Sequence, residues 1–283
     1  MDTNLMGKKY CYYRGSVIEE SKASLPLDGI GTLRGFGVFD FFRMRNGAFC
    51  FLEDHLTRFE RSQKFLGLSD VIGKDEIRDA LDTLTGWNQL PESGLRMVVL
   101  GEGLETDHKL SPLFYILQTD LSKHRPLPFA SVITHEYHRE YPLIKSNNYF
   151  TSNLLHRKRM MAGALDVIYY KDGVVSEASR SNIFLVKGNR LITPKKNVLP
   201  GVTRSKILAL ASDVLEVSEA PISLTDLMEA DEVFLTSTLK EVCPIVEIDA
   251  QRVGKGSVGV NTRKIAQKFR EHVYGLSNSS FTL

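Results

Sequence analysis

Hydrophobic and polar positions along the chain follow two periods, one of strands and one of helices. Tyr10-Cys-Tyr-Tyr-Arg and Gly35-Phe-Gly-Val-Phe-Asp-Phe-Phe-Arg-Met-Arg are rich in strand formers. Asn46-Gly47, the two-residue turn of an antiparallel hairpin, separates the second run from a further strand, Ala48-Phe-Cys-Phe-Leu. A helix follows, with Glu53, Asp54 and Glu60 near its start and Leu56, Phe59, Phe65 and Leu66 at helical spacing. A second helix is expected over Lys74 to Leu84, then strands at Gly94 to Leu100 and Pro112 to Gln118.

Between Thr119 and Phe129 the pattern breaks into Asp-Leu-Ser-Lys-His-Arg-Pro-Leu-Pro, which reads as an interdomain linker. Past it the spacing predicts a strand at Ala130 to Thr134 and a helix from Asn148 to Gly163, carried by Phe150, Leu154, Leu155 and Met161. Asp166-Val-Ile-Tyr-Tyr, Asn182-Ile-Phe-Leu-Val-Lys and Arg190-Leu-Ile-Thr alternate as strands with tight turns at Asp172-Gly173 and Gly188-Asn189. A helix from Val202 to Val214, strands at Glu232 to Thr236 and Ile245 to Ile248, and a helix from about Asn261 to Tyr274 complete the pattern. No internal repeat is visible, and Ser277 to Leu283 read as a frayed end. Hairpins mixed with long helices on both sides of one linker predict two α+β domains, 1–120 and 130–283 joined by 121–129, with a cleft between them as the natural place for a site.

Composition narrows the function classes. The 283 residues are 42% hydrophobic, enough for a substantial core, and 36 basic residues nearly balance 34 acidic ones. There is no basic run of the kind that tracks nucleic acid, and His156-Arg-Lys-Arg reads as the solvated face of a helix. No apolar stretch approaches the roughly 20 residues of a membrane span, and the first residues lack the apolar core of a signal peptide. The three cysteines, Cys11, Cys50 and Cys243, are far apart and without metal-ligand spacing, so neither a metal nor a disulfide is expected and a reducing cytoplasm fits.

Three motifs in order carry chemistry. Lys145 lies after an apolar bend, Tyr141-Pro-Leu-Ile, and before a helix that Ser146 or Asn147 would cap. Apolar surroundings would lower its pKa and free the amine to attack a carbonyl; alone, it would read as a surface lysine. Glu177 precedes Ala-Ser-Arg-Ser-Asn-Ile-Phe, where a carboxylate can keep a pyridine nitrogen protonated or simply sit in a turn. Asn182 would bond backbone groups of that turn. Leu199-Pro-Gly-Val-Thr-Arg runs into a helix whose first amides, at Val202 and Thr203, can converge on a phosphate with the Thr203 hydroxyl. Thr238 adds a hydroxyl for the same anion or caps its own loop. Arg58 has two readings, a charge for that phosphate or a surface ion pair with Asp54 four residues earlier. Tyr149 could bond a ring hydroxyl or pack as an aromatic, and His55 reads as structural. An amine, a carboxylate and a phosphate cradle together are the parts of a pyridoxal 5'-phosphate (PLP) site.

These residues resemble the class IV aminotransferases, PLP enzymes of fold type IV that include branched-chain aminotransferases, D-amino acid transaminases and aminodeoxychorismate lyases. The resemblance runs from Arg34-Gly-Phe-Gly-Val-Phe-Asp through Glu53-Asp-His-Leu-Thr-Arg and the Lys145 block to Ser237-Thr-Leu-Lys-Glu-Val-Cys-Pro. It implies a two-domain α+β fold with mixed and antiparallel sheets, flanking helices and PLP in the interdomain cleft, the lysine belonging to the C-terminal domain. It further implies that Lys145 is the Schiff-base lysine, that Glu177 partners the pyridine nitrogen, and that Arg58, Val202, Thr203 and Thr238 bind the phosphate. Phe39 would wall the substrate pocket and Arg96 would take a carboxylate. With Phe36, Phe41 and Leu239 also apolar pocket candidates, branched-chain or other apolar amino acids are the expected donors and a 2-oxo acid the acceptor, in a homodimer. Asp40 stands where the family commonly has glutamate, the loop from Pro194 to Val198 is short, and Leu100-Gly-Glu-Gly replaces the Thr-Arg-Gly or Ser-Arg-Gly of many D-amino acid transaminases and lyases. Transamination is the leading expectation. Pyruvate release by a lyase is the alternative, and a non-catalytic PLP carrier is a remote third.

Overall fold

A computed structural model of the chain describes residues 8–68, 72–103 and 111–275; the expected fraying at 277–283 lies outside them. The chain divides into two compact units, Met1–His124 with Ile144–Asn148, and Arg125–Leu143 with Tyr149–Leu283. The short segment that carries Lys145 therefore groups with the first unit, where the sequence pattern had assigned it to the C-terminal domain. The division at His124/Arg125 falls inside the stretch expected as a linker.

The first unit contains β1 (Tyr10–Tyr13), β2 (Ser16–Glu19), α1 (Ile30–Arg34), β3 (Gly37–Arg45), β4 (Ala48–Phe49), α2 (Leu52–Phe65), α3 (Lys74–Asn88), β5 (Ser93–Glu102) and β6 (Ser111–Asp120). Its strands form an antiparallel sheet in the order β2-β1-β6-β5-β3-β4. Alternation along β3 decides what faces what: Val38, Phe42 and Met44 point into a core shared with Leu56 and Phe59 of α2 and Leu81 and Leu84 of α3, leaving Phe39 and Phe41 to the other face. Asn46 and Gly47 both take positive φ, +48° and +77°, as a two-residue hairpin turn of the primed kind requires. The strand after that turn is only Ala48–Phe49, shorter than its apolar run suggested, because Phe51 adopts a left-handed conformation and turns the chain into α2.

The second unit contains β7 (Ala130–Glu136), α4 (Phe150–Leu154), α5 (His156–Met161), β8 (Asp166–Lys171), β9 (Val174–Ala178), β10 (Asn182–Lys187), β11 (Arg190–Thr193), α6 (Val202–Ala211), β12 (Glu216–Glu219), β13 (Ile222–Ser223), α7 (Leu224–Met228), β14 (Glu232–Ser237), β15 (Glu241–Ile248), β16 (Gln251–Arg252) and α8 (Val260–Tyr274). Its sheet runs β12-β11-β10-β14-β15-β7-β8-β9-β13, with β16 paired to β15, and it is mixed: β7 is parallel to both β8 and β15, and β11 to β12. A parallel pair needs a long crossover. The one between β7 and β8 holds the Lys145 segment, α4 and α5.

The single helix expected over 148–163 is thus two short ones. Its apolar spacing is not a core stripe, since Phe150, Leu154 and Met161 are 73%, 68% and 80% exposed and only Leu155 is buried. Capping by Ser146 or Asn147 is also absent, because α4 begins at Phe150 and its N-cap, Tyr149, makes no side-chain cap bond.

Candidate active site

Of the residues singled out by sequence, Lys145, Arg58, Phe39 and Arg96 belong to the first unit and Glu177, Val202, Thr203, Thr238, Tyr149 and Leu239 to the second.

In the first unit, β4 covers the edge of β3 only at Met44 and Arg45, so the edge at Gly37–Phe39 is open for another partner. The Lys145 segment takes it. Phe39 N–H donates to the Lys145 carbonyl at 2.9 Å, Asn147 N–H donates to the Gly37 carbonyl at 3.0 Å, and Ser146 bridges Val38. Gly37 is needed at this seam, since a Cβ there would lie 2.6 Å from the Val99 carbonyl oxygen and 2.8 Å from the Asn147 amide. The Lys145 N–H also donates to Ser62 Oγ at 3.2 Å, and that hydroxyl donates to the Arg58 carbonyl at 3.0 Å. One buried serine on α2 therefore joins the backbones of the lysine and the arginine. Lys145 Nζ stands 4.6 Å from the Phe39 ring centroid, and the Arg96 guanidinium, paired across the strands with Phe41, lies 4.9 Å from the Phe39 centroid and 5.5 Å from that of Phe41. Ring faces attract both cations.

Arg58 is buried, which overturns its reading as a surface partner of Asp54. Its Nε donates to Asp40 Oδ2 and its second guanidinium nitrogen to Asp40 Oδ1, both at 2.8 Å, in the two-pronged geometry that fixes a guanidinium plane. Asp40 is fully buried and its Oδ1 also lies 2.7 Å from His55 Nδ1. Burial, the largest single influence, would raise the Asp40 pKa, but the Arg58 charge, His55 and the hydrogen bonds from both together more than offset it and hold the carboxyl well below the usual carboxylate range. His55 moves down, chiefly through burial and against the pull of Asp40, so it is neutral near pH 7 and serves as a structural partner of the pair.

In the second unit, β9 delivers Glu177 into the interior, where its Oε2 accepts the Leu199 N–H at 2.9 Å and its Oε1 lies 3.6 Å from the Arg139 guanidinium. Asn182 bonds backbone as expected, but that of the 199 turn: its side-chain amide donates to the Leu199 carbonyl at 2.8 Å. Leu199 is thereby held from both sides, and the chain passes through Pro200 and Gly201 into α6. Gly201 caps that helix without a side chain, and the first bond of the turn is from Ser205 N–H to the Gly201 carbonyl at 2.9 Å. The amides of Val202 and Thr203 precede it, in the stretch where helix geometry supplies no partner. A Cβ at Gly201 would meet Asn182 Oδ1 at 2.0 Å, so the approach is reserved for glycine. Thr236, paired with Asn182 across β10 and β14 and two residues before Thr238, has a buried hydroxyl with no hydrogen-bond partner among the described residues.

PLP presents an aldehyde, a basic ring nitrogen and a phosphate. The donor types fit each: a lysine amine on an anchored segment, a buried carboxylate, and a helix start without a side-chain cap that carries the buried Thr203. Sequence reasoning missed three residues that hold these groups: Ser62, Asp40 as the holder of Arg58, and Arg139 beside Glu177. Asp40 offered the one available signal, a charge inside an apolar strand at a core-facing position.

The comparisons agree with this chemistry. The family model described as amino-transferase class IV matches residues 37–248. The chain is similar to a Methanocaldococcus jannaschii protein provisionally named a branched-chain-amino-acid aminotransferase, 31% identical over 92% of this chain and 95% of that one. It is also similar to the D-alanine aminotransferase of Bacillus licheniformis, 29% identical over 89% of this chain and 93% of the relative. Among solved structures, the branched-chain aminotransferase of Thermoproteus uzoniensis with norvaline superposes with a TM-score of 0.87, at 26% identity and covering 95% of this chain and 96% of that one. The chain belongs to the class IV aminotransferases. It is a PLP-dependent aminotransferase of fold type IV.

Proposed function

We propose that the protein transfers amino groups from branched-chain and other apolar L-amino acids to a 2-oxo acid, with Lys145 as the catalytic lysine. When bound, PLP supplies the electron sink that acidifies the substrate α-proton. Lys145 Nζ would hold the cofactor aldehyde and, once free, would serve as the base that moves the proton at the substrate α-carbon. Its backbone bonds to Phe39 and Ser62 anchor the segment that carries that nitrogen. Glu177 holds the proton on the ring nitrogen, and Tyr149 bonds the ring hydroxyl. Arg58, the amides of Val202 and Thr203, and the Thr238 hydroxyl hold the phosphate. Phe39 and Leu239 wall the substrate side chain, and Arg96 takes a substrate carboxylate.

One observation carries this reading: Lys145 Nζ and the Arg96 guanidinium share the Phe39 ring, 4.6 and 4.9 Å from its centroid. An amine that handles the α-carbon, an arginine for a carboxylate and an aromatic wall are what an apolar amino acid presents itself to. Leu100-Gly-Glu-Gly, in place of the arginine motif of many D-amino acid transaminases, favours the branched-chain branch over its D-specific relatives. A panel of L- and D-amino acids with 2-oxoglutarate as acceptor tests it. L-leucine, L-isoleucine and L-valine should be the fastest donors; a preference for D-alanine would overturn the substrate assignment.

The protein acts as a homodimer in the cytoplasm in this reading. Exposed apolar side chains at Tyr141, Leu143, Phe150, Leu154 and Met161, close in sequence to the lysine segment, support a second copy as their cover. No helix among the described residues is long and apolar enough to cross a membrane.

A further inference from the structure

We propose that Lys240 is a positioning residue for the cofactor, its ion pair with Asp166 tying the turn that follows Glu177 to the turn that carries Thr238. The inference rests on the assignment of Glu177 and Thr238 to PLP. Asp166, at the start of β8, is buried, and every lone-pair direction of its carboxylate is used. Oδ1 accepts from Val167 N–H at 2.9 Å and from the Ser179 hydroxyl at 2.6 Å; Oδ2 accepts from the Ser181 hydroxyl at 3.1 Å and from Lys240 Nζ at 2.8 Å. Lys240 Nζ donates to Ser181 Oγ as well, at 2.8 Å, and its backbone N–H donates to Ser237 Oγ at 3.2 Å.

The two turns are brought together by register. β10 and β14 are antiparallel neighbours with Asn182 opposite Thr236, so the turn entering β10 and the turn leaving β14 lie at the same end of the sheet. Ser179 comes two residues after Glu177, and Lys240 two residues after Thr238. A single ammonium thus bridges the segment that aims the ring-nitrogen partner and the segment that aims a phosphate hydroxyl. The far side of the second turn is fixed too. Glu241 adopts a left-handed φ of +54°, and its carboxylate accepts from the Tyr274 hydroxyl at 2.5 Å and from Arg270 Nε at 3.3 Å on α8. A non-glycine residue keeps that conformation only where its surroundings dictate it.

Stability alone is a weak reason for such a pair. Replacing a buried ion pair with well-packed apolar groups is often neutral or stabilising, whereas an ammonium shared between two turns fixes their geometry. The test compares Lys240→Met with the double variant Asp166→Asn/Lys240→Met, which leaves no unpaired buried charge. Two quantities are read on the apoprotein: its Tm and its Kd for PLP, the latter by fluorescence titration. Lys240→Met should lower the Tm and raise the Kd. The double variant should recover most of the Tm yet keep the Kd raised roughly tenfold, the scale seen when a group that orients a ligand-binding residue is lost. A double variant that binds PLP within about twofold of wild type, well below that scale, would overturn the inference and leave the pair a matter of core stability. Glu177→Gln and Thr238→Val separate the two failures. If these also leave the Kd unchanged, the cofactor assignment itself fails; if they raise it while the double variant does not, only the role of Lys240 fails.

Discussion

Asp40 shows what one residue decides. Its carboxylate is the counter-charge of Arg58 and a partner of His55, all three buried. Removing one partner of a buried pair leaves the other uncompensated, so Asp40→Asn should destabilise the apoprotein by about 3 kcal/mol, read by denaturant unfolding. Its pKa is depressed in the folded state relative to the unfolded one, so its contribution is present above roughly pH 4 and is lost as the pH falls below that value. Over that window the wild type should lose stability more steeply than Asp40→Asn; parallel Tm-against-pH curves would contradict this. Sequence marked Asp40 as a departure from the family's usual glutamate, but not as the holder of Arg58. Pattern reasoning reaches three or four residues along a helix and so found Asp54, whereas a pair 18 residues apart becomes visible only once β3 and α2 are packed. The helix start at Val202 was legible because its Pro-Gly-Val-Thr motif is local, and Lys145 and Glu177 stand out in the sequence for the same reason, each in a local motif with its own chemistry.

Elements with strong local signals were read closely. The Asn46-Gly47 and Asp172-Gly173 turns take the positive φ their residues favour, and β10, β11 and the start of α6 fall where the pattern put them. The Asn148–Gly163 stretch failed because helical spacing of apolar residues says nothing about what covers them, and in this chain most of them face outward. Short elements such as β2, β12, β13 and α7 carry too few residues to stand out from their loops. Two substitutions probe how elements place the site. Ser62→Ala removes the hydroxyl that links α2 to the Lys145 N–H, which should cost about 1–2 kcal/mol and lower kcat with little change in KM. Unchanged kcat would show that the Phe39 bond alone holds the lysine. Gly201→Ala forces its new methyl into Asn182, whose amide holds Leu199, so PLP affinity should fall by roughly tenfold or more, measured as Kd on the apoprotein.

At the scale of the molecule, the antiparallel and mixed sheets expected from the family resemblance are those observed, with the lysine segment grouped with the first unit. Exposed Phe150 and Leu154 lie one helical turn apart on α4. Changing both to glutamate should shift sedimentation from dimer to monomer; a wild type that sediments as a monomer would remove the basis for a second copy. The central claim concerns Lys145, and the most direct measurement is chemical. The PLP-loaded protein is reduced with borohydride, digested and read by peptide mass spectrometry. A pyridoxyl mark on the peptide containing Lys145, absent from Lys145→Ala, is the result the account predicts. A mark on any other lysine of the wild type, or none, would contradict it.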